Sequence, residues 1–177
     1  ERPVGSSGEM IDLGAGDGLI TKTLAPFYSD VYVTEASTTM RWALKKRGFR
    51  VLEINRWSEK QYDAVYCLNL LDRCDEPLTI LQQIKTTLKP GGKVIIAIVL
   101  PVHQYVESKY PNHLPKQWLP IKGCTFEEQS NSFINDVLHP AGFTVEKWTR
   151  LPYLCEGDIQ QAYYWLDDAV FIAKINS

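Results

Sequence analysis

The sequence predicts an α/β domain built on a mostly parallel sheet with helices on both faces. Three observations predict it. As far as residue 100, five short apolar or β-branched runs alternate with stretches of helical spacing. The first run ends directly in a cluster of glycines. The chain has 177 residues, enough for one sizeable core, with no internal repeat or low-complexity stretch to mark a second domain. Strands linked by helical crossovers lie parallel and must be covered on both faces.

The elements follow in order. Gly5-Ser6-Ser7-Gly8 reads as a linker, so residues 1–8 form a flexible lead and 9–177 the domain. Met10 to Leu13 is a buried strand ending at glycines, and Leu19 to Phe27 has helical spacing with Pro26 near its end. Val31 to Glu35 is a β-branched strand. Ser37 caps a helix that runs to Arg47, where Lys45, Lys46 and Arg47 complement the helix dipole and Gly48 stops it. Arg50 to Ile54 and Asp63 to Leu68 are the third and fourth strands. Asp75, Glu76 and Pro77 open a helix to Leu88. Lys89 to Gly92 is a turn and Lys93 to Leu100 a fifth strand. Pro101 to Lys122, rich in proline and aromatics, reads as a long functional loop or partial lid. A helix follows over Phe126 to Leu138. Phe143 to Thr149 and Ala169 to Lys174 are strands, and Arg150 to Asp168 is a connection too long for a tight turn.

Composition excludes several classes. Apolar residues make up 45% and charged residues 23%, with a formal charge of −2, so no global field recruits nucleic acid or anionic lipid. No basic-aromatic groove is visible, and no nucleic-acid partner is expected. The longest apolar run, Val94 to Val102, is too short to span a bilayer, and membrane insertion by this domain is not expected. The chain begins at Glu1, as a fragment would. Cys67, Cys74, Cys124 and Cys155 form no Cys-x-x-Cys pair, and His103, His113 and His139 do not complete a ligand set, so no metal is expected and the thiols read as reduced. His103 and His139 read as ordinary loop histidines. A monomer is the expected state.

The glycine loop, Asp12 to Gly18, carries the first chemical signal. Its glycines let backbone approach a ligand, and the helix start behind it offers N–H donors. A Walker loop would place Gly-Lys-Ser/Thr where Gly18-Leu19 stands, and a dinucleotide fingerprint would place a third glycine at Leu19. Asp12, two residues before Gly14, would repel a pyrophosphate but welcome a cationic amino group. S-adenosylmethionine has such a group, a sulfonium and no phosphate. Glu35, ending the second strand, can accept both hydroxyls of a ribose. The cofactor residues are therefore Asp12, Gly14, Ala15, Gly16, Glu35 and Asn55, with Arg56-Trp57 as a wall for adenine. Asn69, beyond the fourth strand, is expected to hold the methionine end of the cofactor or to orient substrate.

Four stretches, Asp12 to Gly18, Cys67 to Cys74 (CLNLLDRC), Arg150 to Asp158 (RLPYLCEGD) and Tyr163 to Val170 (YYWLDDAV), resemble the DREV family, also called methyltransferase-like protein nine. The resemblance runs from about Met10 to Lys174. It implies the class I, Rossmann-like methyltransferase fold, a seven-stranded sheet with strand seven antiparallel. It also implies protein-histidine methylation at the pros nitrogen, Nδ1, in His-x-His segments, with S-adenosylhomocysteine as the second product. Endoplasmic reticulum and mitochondrion are family associations only, so an intracellular address rests on resemblance. The loop from Ser108 to Pro120 departs from the family pattern.

Neutral imidazole attacks through Nδ1 when its proton sits on Nε2. A carboxylate accepting Nε2–H would select that tautomer, and Asp72, just beyond strand four, is the candidate. Catalytic roles are thus expected for Asp72, Asn69 and Tyr164, the last because the resemblance puts a tyrosine of the Tyr163-Tyr164 pair beside the target ring. Asp72, Arg73, Arg150, Tyr153, Glu156, Asp158 and Tyr164 are expected to line the substrate groove. A methyltransferase for another side chain or a small molecule, or a non-catalytic cofactor-binding module, are the alternatives.

Overall fold

A computed structural model of the chain describes residues 7–109, 111–156 and 159–176. One seven-stranded sheet, ordered β3-β2-β1-β4-β5-β7-β6, organises them. Its strands are β1 (Glu9–Leu13), β2 (Asp30–Thr34), β3 (Arg50–Val51), β4 (Tyr62–Leu68), β5 (Leu88–Val99), β6 (Phe143–Glu156) and β7 (Tyr163–Ile175). The pairs among β1 to β5 are parallel, whereas β7 runs antiparallel to both β5 and β6. This is the mostly parallel sheet the sequence pattern predicts, with the antiparallel strand seven that the family resemblance implies.

The helices are α1 (Leu19–Leu24), α2 (Thr38–Lys46), α3 (Pro77–Thr87) and α4 (Phe126–Ser132). Ser37 caps α2 through a bond from the Met40 N–H, and Thr125 and Glu128 close a reciprocal capping box on α4. Side-chain parity divides the core. Ile11, Val65, Cys67, Val94, Ile96 and Phe171 are fully buried and pack with Leu81 and Ile84 of α3 and with Phe133 and Val137 behind α4. Met10 and Asp12 face the other way, where α1 lies and Thr21 reaches Asp12.

Four boundaries differ from the sequence pattern. β3 is only Arg50–Val51: Leu52 still donates to the Val33 carbonyl, but the chain then folds into a turn closed by Arg56 N–H to the Glu53 carbonyl. Ile54 is left exposed at 52% rather than continuing the strand. The Lys89–Gly92 turn is absorbed into an irregular start of β5, across from a register shift in β4 between Tyr62 and Ala64. The predicted helix over 126–138 is α-helical only to Ser132 and π-helical over Phe133–Leu138. The largest correction is the connection from Arg150 to Asp168. Most of it is strand, because β6 and β7 keep unbroken register from Lys147↔Ile172 out to Glu156↔Tyr163.

The 101–122 segment is irregular, as expected, and is tied to the chain just after β4. Tyr105 N–H donates to the Asp72 carbonyl, Lys116 and Gln117 N–H to the Asp75 carbonyl, and Lys109 and Lys116 pair with the Asp75 carboxylate. Tyr105 stacks on His113 at 4.5 Å. Of the predicted lead over residues 1–8, residues 1–6 lie outside the described residues. The Gly8 carbonyl accepts from Ser29 N–H and Oγ.

Candidate active site

The loop after β1 needs left-handed backbone. Gly14 and Gly18 have φ of 70° and 82°, and a Cβ on Gly18 would lie 2.6 Å from Leu44 Cδ2. Four of the loop's N–H groups are held within the protein. Gly14 N–H donates to Thr34 Oγ1 (3.3 Å), Ala15 N–H to the Thr34 carbonyl (3.0 Å), Gly16 N–H to Glu35 Oε2 (2.9 Å) and Gly18 N–H to the Ala15 carbonyl (2.9 Å). A loop whose donors are already paired makes a poor phosphate cradle. Glu35 Oε1 also takes the Ser37 N–H at 2.8 Å, so the predicted ribose acceptor doubles as the brace of the loop. Each of its oxygens keeps a second lone pair.

Asp12 is 3% exposed and accepts Thr21 Oγ1 at 2.6 Å. Burial pushes its carboxyl up to about 6, against the Thr21 bond and with help from the Glu35 charge.

Two cavities flank the loop and share Gly14. One, of about 340 Å³, is walled by Thr34, Glu35, Ile54, Trp57, Leu70 and Arg73. The other, of about 530 Å³, is lined by Asp12, Ala15, Gly16, Asn69, Tyr153 and Asp168, among others. The predicted cofactor residues are thus brought together around one glycine, apart from Asn55, which is exposed and lines neither cavity. Of the adenine wall, Trp57 is in place, whereas Arg56 turns to an ion pair with Glu59.

The end of β4 carries the most unusual polar chemistry. Asn69 sits at φ 54°, donates its backbone N–H to the Ala97 carbonyl and its Nδ2 to Asp168 Oδ2 at 2.9 Å. Asp72 is 2% exposed, with Arg73 Nε 3.2 Å from its Oδ2. Asn69 Oδ1, Asp72 Oδ1 and Asp168 Oδ1 are buried, and none accepts a bond from a described protein donor. Asn69 and Asp168 line the larger cavity, whereas Asp72 lines neither cavity. Buried acceptors of this kind are costly unless a ligand supplies the donors. Burial raises the Asp72 carboxyl, opposed chiefly by the Arg73 charge. Burial likewise raises Asp168, opposed by the Asn69 bond and reinforced by the charge of Asp72.

The β6–β7 register sorts the remaining predicted residues, because side chains alternate along each strand. Leu151 pairs with Asp168, Tyr153 with Leu166 and Cys155 with Tyr164, so Tyr153 and Tyr164 share the cavity face with Asp168. Tyr163 belongs to the opposite face and is 60% exposed, which assigns the cavity-side tyrosine of the pair to Tyr164. Arg150 also belongs to the opposite face. It pairs with Asp167 at 2.6 Å, lies 3.6 Å from Glu127 and stacks over Phe126, away from the cavity. Arg73 lies in the smaller cavity beside Asp72. Asp158 and the side chain of Glu156 lie outside the described residues.

The match to known proteins is now informative. The family model described as DREV methyltransferase matches residues 3–175. The chain belongs to the DREV methyltransferase family. A ubiquinone biosynthesis O-methyltransferase of Xanthomonas oryzae pv. oryzae is 24% identical over 99 residues, covering 50% of this chain and 41% of that protein. The chain therefore spans less than half the length of that curated relative. Among solved structures, an S-adenosylmethionine-dependent methyltransferase from Clostridium acetobutylicum superposes with a TM-score of 0.62 at 12% identity, covering 97% of this chain and 85% of that one. The [4+2]-cyclase SpnF gives 0.63 at 16% identity, covering 99% and 78%. The neighbours show the fold, and a cyclase among them shows that the fold does not dictate the reaction.

Sequence reasoning passed over Asp168 and Thr21. Asp168 stood at the end of what read as a loop. Its signal was an acidic residue directly before the apolar strand Ala169 to Lys174, but only the β6 register aims it at the site. Thr21 carried no signal beyond its place in the helical stretch after the glycine loop. Among the described residues, no group of three or more His, Cys, Asp or Glu could hold a metal, and the four cysteines are unpaired.

Proposed function

We propose that this chain is an S-adenosylmethionine-dependent protein methyltransferase that modifies Nδ1 of histidine in His-x-His segments. The observation that carries the reading is the trio of buried acceptor oxygens on Asn69, Asp72 and Asp168. They call for an acceptor substrate that brings N–H donors, as an imidazole does.

The residues around Gly14 suit this cofactor. Asp12 would take its ammonium group, Glu35 its ribose hydroxyls, and Ile54, Trp57 and Leu70 its adenine. The pairing of four loop N–H groups within the protein matters little to a ligand without phosphate. When bound, it supplies a methyl group activated by a sulfonium.

The chain's own residues then have three tasks. Asp72 holds the Nε2 proton of the target ring, which frees the Nδ1 lone pair for attack. Arg73, 3.2 Å away, opposes the burial that raises the Asp72 carboxyl. Asn69 and Asp168 hold each other, and Tyr164 and Tyr153 flank the approach. As the ring gains positive charge, Asp72 stabilises it in a site of low dielectric. Positioning of this kind supplies roughly 7–11 kcal/mol in well-oriented systems.

The direct test is incubation with labelled cofactor and a His-x-His peptide, followed by mapping of the methylated ring nitrogen. Methyl transfer to Nδ1 supports the reading. Transfer only to another side chain or to a small molecule would overturn it. An intracellular setting and an association with endoplasmic reticulum or mitochondrion rest on the family resemblance, and with a monomeric state they belong to the same proposal. Among the described residues, no helix is long and apolar enough to cross a membrane.

A further inference from the structure

β7 outruns its neighbour. Pairing of β5 with β7 ends at Val99↔Asp168, and the last bond across that gap is Leu100 N–H to the Asp167 carbonyl at 3.0 Å. The chain then leaves the sheet at Pro101, which has no N–H to continue the ladder. β7 continues outward to Tyr163, and over that stretch its ladder is with β6 alone. Beside that stretch of β7, no strand among the described residues pairs in the lane where β5 would have continued, and the Tyr163 carbonyl at its outer end accepts from Gln161 Nε2.

The hydrogen-bonding sense of this edge follows from the Leu100 bond. In a strand, the N–H and C=O of one residue point to the same side, and successive residues alternate. Asp167 points its carbonyl into the lane, so Trp165, two residues further on, points both its N–H and its C=O the same way. Asp168, Leu166 and Tyr164 direct their backbone groups toward β6 instead. Their side chains share the face that carries the cavity. The lane leads to Asp168, and so to the buried acceptor oxygens of Asp168 and of Asn69, which donates to it.

We infer that the substrate binds as an added β-strand on the β7 edge at Trp165, continuing the lane and the antiparallel sense of β5. This deepens the protein-methylation reading and rests on it. The peptide residue opposite Trp165 exchanges both backbone hydrogen bonds with it, and its side chain turns to the Trp165 face, away from the cavity. The residues on either side of it turn their side chains to the cavity face. Two side chains two positions apart are thereby presented together, one toward the Asp168 end and one toward Tyr164, about 13 Å from Asp168 along the strand. The occupant is an extended peptide with N–H-donating side chains at alternate positions. The acceptor oxygens at the end of the lane favour such donors, and main-chain pairing at a sheet edge is an established route to peptide affinity.

Backbone methylation of the peptide tests this. Three versions of a His-Gly-His peptide are compared with the unmodified one in initial-rate assays, with an N-methyl group on the first histidine, the glycine or the second histidine. The glycine faces Trp165, so its N-methylation should lower kcat/KM at least tenfold. N-methylation of either histidine, whose backbone points away from β7, should change it less than threefold. On the protein side, Trp165→Pro removes the edge N–H at a position where proline is tolerated. It should raise KM for the peptide about tenfold with cofactor affinity unchanged by calorimetry. If the glycine N-methyl peptide is turned over within twofold of the unmodified one, strand addition is wrong while histidine methylation stands. If no peptide is methylated at all, the functional reading fails and this inference with it.

Discussion

The two ends of the site treat their polar groups in opposite ways. In the glycine loop, four backbone N–H groups and both Glu35 oxygens are engaged within the protein. At the end of β4, Asn69, Asp72 and Asp168 each keep a buried oxygen without a protein donor. A satisfied loop is stable by itself and offers a ligand shape and charge. An unsatisfied cluster is a standing cost that only a bound donor removes. The contrast suggests that the cofactor end is a preformed cradle and the acceptor end a site completed by its substrate.

Breaking the acceptor end should have the largest effect. Asp72→Asn removes the charge that selects the imidazole tautomer and stabilises the ring cation. Its kcat on a His-x-His peptide is expected to fall ~100-fold or more, about 2.7 kcal/mol, with cofactor affinity within threefold by calorimetry. Equal losses in both would erase the division between the two ends.

Asp12 sharpens the comparison, because it is the one strained group in the otherwise satisfied cradle. Its carboxyl lies near 6 when folded, above its ordinary value of 3.8. The folded state therefore holds the proton more tightly than the unfolded chain. Stability from this group is fully present below about pH 4 and is lost as pH rises through about 6. Asp12→Asn should raise the melting temperature at pH 8, by an amount equivalent to roughly 2–3 kcal/mol at most. It should also weaken cofactor binding about tenfold or more. In the unsubstituted protein, cofactor affinity should decline as pH falls below about 6, since the ammonium then meets a neutral acid. A flat profile from pH 5 to 8 would remove Asp12 from the cofactor site.

Glu35→Ala should cost about tenfold in cofactor affinity, with little change in kcat at saturation. It also strips acceptors from Gly16 and Ser37 N–H, so the loop amides should exchange hydrogen faster. The smallest effects concern the arm. Tyr164→Phe should lower kcat a few-fold, roughly the worth of one hydrogen bond. Tyr163→Phe and Arg150→Ala, on the opposite face, should leave peptide methylation within about twofold. Reversal of the tyrosine pair would contradict the register argument.

Much of the cofactor end was legible in the sequence because its determinants are local. Asp12 and the three glycines lie on one turn, and Glu35 ends the next strand. Asn55 was read by the same local reasoning, as a turn residue after a strand; in the structure β3 stops at Val51, and Asn55 is exposed and lines neither cavity. Arg150 failed differently. It lies in a stretch shared with the family, yet one step of strand parity sends it to Asp167, Glu127 and Phe126.

By itself, the sequence determined the α/β class, most strand and helix cores, the acidic residues flanking the glycine loop and the tie to Asp72 through its family motif. Alternation of apolar residues and local turn chemistry encode these within a window of a few residues. Only the tertiary structure decided that the loop donors are already paired, that Asp168 joins Asn69 and Asp72, and that Tyr164 rather than Tyr163 faces the cavity. Those facts depend on contacts between residues as far apart as Asn69 and Asp168, and on a strand register in which one residue of slip would reverse every face.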